Sequence, residues 1–226
     1  MEIKNIKKEF PIFKQKINGK PLVYLDSANS SQKPKVVIDK ISNFYETEFS
    51  NVGRSVHTLA VKATNRFEAV RDKVKQYINA KHREEIIFTK GATEGINLVA
   101  SSFGKKYINK GDEILVTELE HHSNYVPWHY LRSEKGAVIK FAQVNSDGDV
   151  EIDEIKKQIT NKTKIIAITH ISNVTGAVLP ITKIVDLAKE RNIPVLIDGT
   201  QGAPHSHIDM QKIGCDFYAI SCHKMY

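Results

Sequence analysis

Cysteine is scarce. The 226 residues hold two, Cys215 and Cys222, with no CxxC pair, which speaks against a disulfide framework and against a zinc ribbon. No apolar run approaches the roughly 18 residues that a membrane span needs. The opening stretch MEIKNIKKEFPIF lacks the apolar core and small-residue cleavage site of a signal peptide. Glu2 and Glu9, with no Arg or Ser, argue against a targeting helix there, so the expected location is the cytoplasm. No internal repeat or low-complexity segment stands out. Arginine is sparse beside lysine, and the lysines spread over every predicted helix. The net charge of +7 therefore reads as a lysine-rich surface. A nucleic-acid binder would gather its basic residues, Arg prominent, on one face.

What is present is an ordinary globular composition, 41% apolar and 26% charged, enough for one α/β domain with a proper core or a domain and a half. After residue 80, short apolar runs alternate with amphipathic segments. The runs are EEIIFT, DEILVTEL, AVIKFAQV, TKIIAITHI, IPVLIDG and DFYAIS. Helices are predicted to begin near Thr93, Asn124, Ile152 and Ile181, the last with Ile181, Ile184, Val185 and Ala188 on one face. This alternation predicts an α/β fold, a mostly parallel sheet with helices on both faces. The first 80 residues differ. A strand PLVYLDS is expected, then a polar loop, a helix over KVVIDKISNFYETEF, and a long helix from about Thr58 to Asn79. Val61, Phe67, Val70, Val74 and Ile78 form that helix's apolar stripe.

In open α/β sheets ligands bind beyond the carboxyl ends of the strands. After EEIIFT, Gly91 allows a tight turn and Ala92 and Thr93 open a helix whose free N–H groups suit a phosphate; Thr93 as a simple N-cap is the alternative. His121 and His122 follow DEILVTEL. On extended chain they face opposite ways, so one imidazole could cover a flat ligand, or both could be surface residues. Asn173 could bond a ring substituent or serve a turn beside Gly176. Asp198 ends an apolar strand and needs a partner, either a cap or ion pair or a cationic group of a ligand, with Gln201 close behind. In SCHK, alternation puts Cys222 and Lys224 on one face of a strand and His223 on the other. A phosphate cradle, an aromatic cover, an amide, a carboxylate and a lysine on successive strand ends are the set a pyridoxal 5'-phosphate site requires.

These stretches resemble the class V aminotransferase-like pyridoxal enzymes (fold type I), specifically the Suf-type cysteine desulfurases. The similarity rests on VYLDSANSSQKP, RSVHTLA, FTKGATEGINLVA, ELEHHSNYVPW, THISNVTGAVLP, VLIDGTQGAPH and DFYAISCHKMY, which occur in the family's order. The double histidine followed by NYVPW favours the Suf-type branch over the Isc/Nif-type. The resemblance implies Lys224 as the Schiff-base lysine and His121 as the imidazole stacked on the ring. It implies Asp198 as partner of the pyridine nitrogen, and Gln201 and Asn173 as groups that bond the ring oxygen and help orient substrate. Ala92 belongs to the phosphate-binding helix start, and Thr93, Ser221 and His223 match phosphate ligands. His223 then departs from ideal strand alternation. The implied reaction takes sulfur from L-cysteine, leaves L-alanine and an enzyme persulfide, and passes the sulfur to an acceptor protein of the Suf system for iron–sulfur cluster assembly. The family is homodimeric; neither a nucleic acid nor a membrane is an expected partner.

Three departures from the family pattern stand out. The chain stops at Tyr226, whereas the family continues into a C-terminal small domain that supplies the persulfide cysteine and the arginine for the substrate carboxylate. Gly53 stands where Suf-type members commonly have His, and Asn29 replaces a usual small apolar residue. Neither Cys215 nor Cys222 matches the persulfide position, and Cys222 is read as a packing residue. The expected organisation is an N-terminal segment, 1–20, and an incomplete cofactor-binding large domain, 21–226, inactive by itself. A selenocysteine lyase, a kynureninase-like enzyme and a non-catalytic cofactor-binding remnant are the alternatives.

Overall fold

A computed structural model describes residues 3–226; Met1 and Glu2, with which the N-terminal stretch opens, lie outside the described residues. The chain forms two compact units. The first runs to Tyr77 and takes in His82–Ile86 and Cys222–Tyr226; the second holds Ile78–Lys81 and Ile87–Ser221.

The first unit contains a small hairpin, Lys16–Ile17 antiparallel to Lys20–Pro21. Asn18 and Gly19 turn it, both at positive φ (53° and 77°), as a two-residue Asn-Gly hairpin turn requires. Helix α1 (Lys35–Thr47) follows Pro34, and α2 spans Thr58–Tyr77. Arg83 is held to α2 by Glu68 (2.8 Å) and Asp72 (3.2 Å). One expectation fails here. Beyond Pro21 the run PLVYLDS forms no strand, and Val23 and Leu25 are 74% and 92% exposed; β-propensity has effect only where a neighbouring strand supplies a packed surface. The apolar stripe of α2 is also largely open. Val61, Phe67 and Val70 are exposed, Val74 is half-buried and Ile78, one residue past the helix, is buried; within the helix itself only Ala60 and Ala63 are buried.

The second unit is the expected α/β structure. Helix α3 (Ala92–Val99) continues through a π-helical turn, Ala100–Gly104. Then come β1 (Glu113–Thr117), α4 (Val126–Lys135), β2 (Val138–Ala142), α5 (Ile152–Gln158), β3 (Thr163–Thr169), α6 (Ile181–Lys189), β4 (Val195–Asp198) and β5 (Phe217–Ala219). The sheet has five strands in the order β2-β1-β3-β4-β5, every pair parallel. Strand β4 is buried at every position, as a strand covered on both faces must be. On one face Ile96, Ile108, Trp128 and Leu131 pack with Ile114, Val116, Ile165, Ala167 and Leu196. Helices α5 and α6 pack on each other and on β2 and β4, and the predicted face of α6 (Ile181, Ile184, Val185, Ala188) is buried in full.

The run EEIIFT contributes no strand to this sheet: Arg83–Glu85 is a 3-10 turn, and Ile87 is 67% exposed. No helix among the described residues is long and apolar enough to cross a membrane. Strand β1 leads on to β2 on one side and β3 to β4 on the other, so the topological switch lies between β1 and β3. That is where an open α/β sheet leaves a crevice.

Candidate cofactor site

Within the sheet unit, the carboxyl ends of β3, β4 and β5 stand side by side, with Thr169 in register with Asp198 and Asp198 in register with Ala219. Asp198 is buried, and its Oδ1 accepts the Thr200 N–H at 3.0 Å. The hydroxyl of Thr200 is interior and without a hydrogen-bond partner among the described residues, so a polar demand remains at this strand end. Gln201, also buried, directly precedes the one-turn helix Gly202–His205. The chain passes very close to Tyr218 here. A Cβ on Gly199 would lie 1.9 Å from Tyr218 Cε1, so only glycine fits. Tyr218 Oη lies 2.8 Å from His170 Nδ1, and burial pushes the tyrosine pKa up and that of His170 down.

The helix start expected after Gly91 is present. Gly91 is at φ +149°, a conformation closed to side-chain-bearing residues, and α3 starts directly after it. Ser221 Oγ accepts the Ala92 N–H at 3.0 Å, which ties the helix start to the segment leaving β5. Thr93 is exposed and is the second residue of α3; the cap position belongs to Gly91, so the N-cap alternative for Thr93 does not hold. Helix geometry leaves the Thr93 and Glu94 N–H groups without intrahelical acceptors.

His121 is exposed on extended backbone at the start of the 3-10 turn His122–Asn124. Its Nδ1 accepts the Ser123 N–H at 3.1 Å and lies 2.8 Å from Ser123 Oγ. Nδ1 is thus the acceptor, and the neutral ring carries its proton on Nε2. Asn173 is exposed in the loop between Ile171 and Val178, which pair as an isolated bridge.

The strand expected through SCHK is absent. The β4–β5 ladder ends at Asp198–Ala219 and Gly199 N closes it on the Ala219 carbonyl. Strand β5 lies at the sheet's edge, and Cys222–Lys224 is a 3-10 turn. Period-two alternation therefore does not decide how Cys222, His223 and Lys224 are arranged. His223 and Lys224 belong to the first unit. The His223 carbonyl accepts from Ser31 N, Ser31 Oγ and Lys33 Nζ, each at 3.1 Å, and Lys224 is half-buried. Cys222 is exposed rather than packed. Burial, with Asp216 nearby, pushes the Cys215 thiol up to about 12.

The donor set fits pyridoxal phosphate. The helix start at Gly91 offers N–H groups and the Ser221 hydroxyl to a phosphate, and Asp198 offers a buried acid to a ring cation. Sequence reading missed Glu120, which lies inside the quoted ELEHHSN. Its carboxyl accepts from Thr117 Oγ1 (2.6 Å), Asn124 Nδ2 (2.6 Å) and Thr169 N (2.9 Å). Burial raises its pKa from 4.5 to about 7 against the pull of these donors, with a smaller push from Asp198. The available signal was an acid a short way past a buried strand, three residues past Thr117 and four before Asn124.

The chain is similar to known proteins along its whole length. The chain is 47% identical over its full length to a probable cysteine desulfurase of Halalkalibacterium halodurans, covering 55% of that protein. It is 46% identical over 99% of its length to a cysteine desulfurase of Serratia proteamaculans, again covering 55%. Among solved structures, the apo cysteine desulfurase of Thermococcus onnurineus superposes with a TM-score of 0.92 at 31% identity, over 100% of this chain and 54% of that one. The Escherichia coli cysteine desulfurase CsdA gives 0.86 at 35% identity, over 99% and 55%. The chain thus spans about half the length of the relatives it matches. The aminotransferase class-V family model matches residues 23–226, and the chain belongs to that family.

Proposed function

We propose that this chain is the cofactor-holding portion of a Suf-type, pyridoxal-phosphate-dependent cysteine desulfurase that acts on L-cysteine. The observation that carries the reading is a glycine-built helix start and a buried strand-end acid in one sheet, in a chain similar throughout to proteins described as cysteine desulfurases. When bound, the cofactor supplies an aldehyde and a ring that withdraws electrons from the substrate's α-carbon. Asp198 holds a proton on the ring nitrogen, and the Thr93 N–H and Ser221 hydroxyl bind phosphate together with His223. His121 covers the ring, and Asn173 and Gln201 orient its oxygen. Lys224 Nζ supplies the anchoring amine and, as a free base, moves the proton at the substrate α-carbon.

Sulfur transfer needs a thiolate. Cys215 is held protonated at neutral pH by burial, and neither cysteine matches the family's persulfide position. The 226-residue chain by itself is expected to bind cofactor without releasing sulfide. The whole protein is proposed to be cytoplasmic and to feed an iron–sulfur assembly acceptor. It is also proposed to pair as a homodimer, a reading supported by the open apolar stripes of α1 and α2.

Borohydride reduction of the purified protein with pyridoxal phosphate should fix the cofactor to Lys224, found by peptide mapping. An adduct of equal yield in Lys224→Ala would sink the assignment.

A further inference from the structure

Four side chains form one connected string at the crevice between β1 and β3. Glu120 Oε1 accepts from Thr117 Oγ1 at 2.6 Å and from Thr169 N at 2.9 Å; its Oε2 accepts from Asn124 Nδ2 at 2.6 Å. Asn124 Oδ1 accepts from Trp128 Nε1 at 3.2 Å. An indole can only donate, so Asn124 is fixed with its amide nitrogen toward Glu120. Asn124 is wholly buried, and its backbone N–H donates to the His121 carbonyl at 2.8 Å. His121 is therefore bracketed, by Glu120 on one side and by Asn124 on the other.

The place of this string in the fold gives it a task. Strands β1 and β3 are paired as far as Leu115–Ile166, yet they run on to Thr117 and Thr169. Glu120 joins those two ends beyond the last paired position. Thr169 is in turn in register with Asp198, and its neighbour His170 donates its N–H to the Asp198 carbonyl at 2.9 Å. A hydrogen-bonded route thus runs from the loop bearing His121, through one carboxyl group, to the strand end bearing Asp198.

We propose that Glu120 is a positioning residue. Its carboxyl group spans the topological switch and holds the His121 loop at a set distance and angle from the strand end that carries Asp198. The proposal rests on the reading of His121 and Asp198 as cofactor-facing groups. It follows that the polarity of the site matters more than its shape. A glutamine at position 120 has nearly the same outline, but one end of its amide must meet a donor: Asn124 Nδ2 in one orientation, the Thr169 N–H in the other. Reversing both partners in Glu120→Gln/Asn124→Asp restores the match. The new amide at position 120 then accepts from Thr117 and Thr169 through its oxygen and donates through its nitrogen to the new carboxylate at position 124, which still accepts from Trp128.

The test uses the purified protein with its histidines labelled with nitrogen-15. In the cofactor-free protein, E120Q should move the ring-nitrogen resonances of His121, and the double variant should return them. With pyridoxal phosphate added, E120Q should bind about tenfold more weakly and the double variant within about threefold of the parent. A purely structural role would lower thermal stability in both variants alike and leave no polarity-dependent rescue. Unmoved His121 signals in folded E120Q, or a folded double variant that fails to restore them, would overturn the proposal. Should E120Q not fold, Thr117→Val removes one donor to the carboxyl group, together with the acceptor of the Leu119 N–H, and should give a smaller shift in the same direction; unchanged His121 signals in that variant count against the idea equally. If the parent takes up no pyridoxal phosphate, the functional reading fails, while the cofactor-free histidine signals still decide this one.

Discussion

Helix α6 buries Ile184, Val185 and Ala188, whereas α1, which also carries apolar residues along one side, buries nothing: Val36, Ile41 and Tyr45 are all exposed. Both sequences obey the 3.6-residue period. The difference lies in what each helix meets. Strand β4 and helix α5 offer α6 an apolar floor, and apolar area removed from water is the main favourable contribution to folding. Helix α1 has no comparable floor in its own unit. Periodicity specifies which face a helix offers and leaves open what will cover it.

The contrast can be broken by substitution. Trp128→Ala, in the closed core of the sheet unit, should cost about 3–5 kcal/mol in denaturant unfolding, since Trp128 is fully buried and also donates to Asn124. A loss no greater than that of an α1 variant would remove the distinction between the units. Gly199→Ala should cost about 1–3 kcal/mol, because its methyl group would overlap the Tyr218 ring. Gly53→Ala tests the other unit. Its Cβ meets open space, and only the φ of +138° opposes it, so about 1 kcal/mol of backbone strain is expected.

Glu120 gives a pH-dependent effect. Its folded pKa, about 7, stands above the ordinary 4.5, so the folded state holds its proton longer than the unfolded chain. The stabilisation this gives is full below about 4.5 and is lost as pH rises through about 7. Over that window the parent should lose about 1–2 kcal/mol relative to E120Q, with solvent screening at this half-buried residue keeping the effect modest. A stability difference independent of pH between the two would show that the carboxyl does not titrate there. Smallest of all, Val36→Ser on α1 should stay within about 0.5 kcal/mol, measured in the same unfolding experiment.

The alternation of β-strands and helices after residue 80 is legible because buried parallel strands must be apolar at nearly every position, as β4 is, and because α6 carries a full helical face. The strand ends are legible for the same reason: Asp198 interrupts an apolar run, and Gly91 precedes a helix. The run EEIIFT has the composition of a strand without a place in the sheet, and composition alone does not reveal that. The turn at Cys222–Lys224 is hidden because nothing local marks β5 as an edge strand whose ladder stops at Ala219. Glu120 has two local partners, Thr117 and Asn124, but the one that gives it its place at the strand switch, Thr169, is distant in sequence. Gly53, read only as a departure from a common histidine, stands in a backbone conformation suited to glycine, with its N–H on Thr64 Oγ1 at 3.1 Å.

The chain has one tryptophan, and its indole N–H ends the string that begins at Glu120. Intrinsic fluorescence excited at the indole band consequently reports from a single place, two hydrogen bonds from the carboxyl group at the strand switch. The molecule carries its own optical probe for events at that crevice, and no dye or label need be attached to follow them.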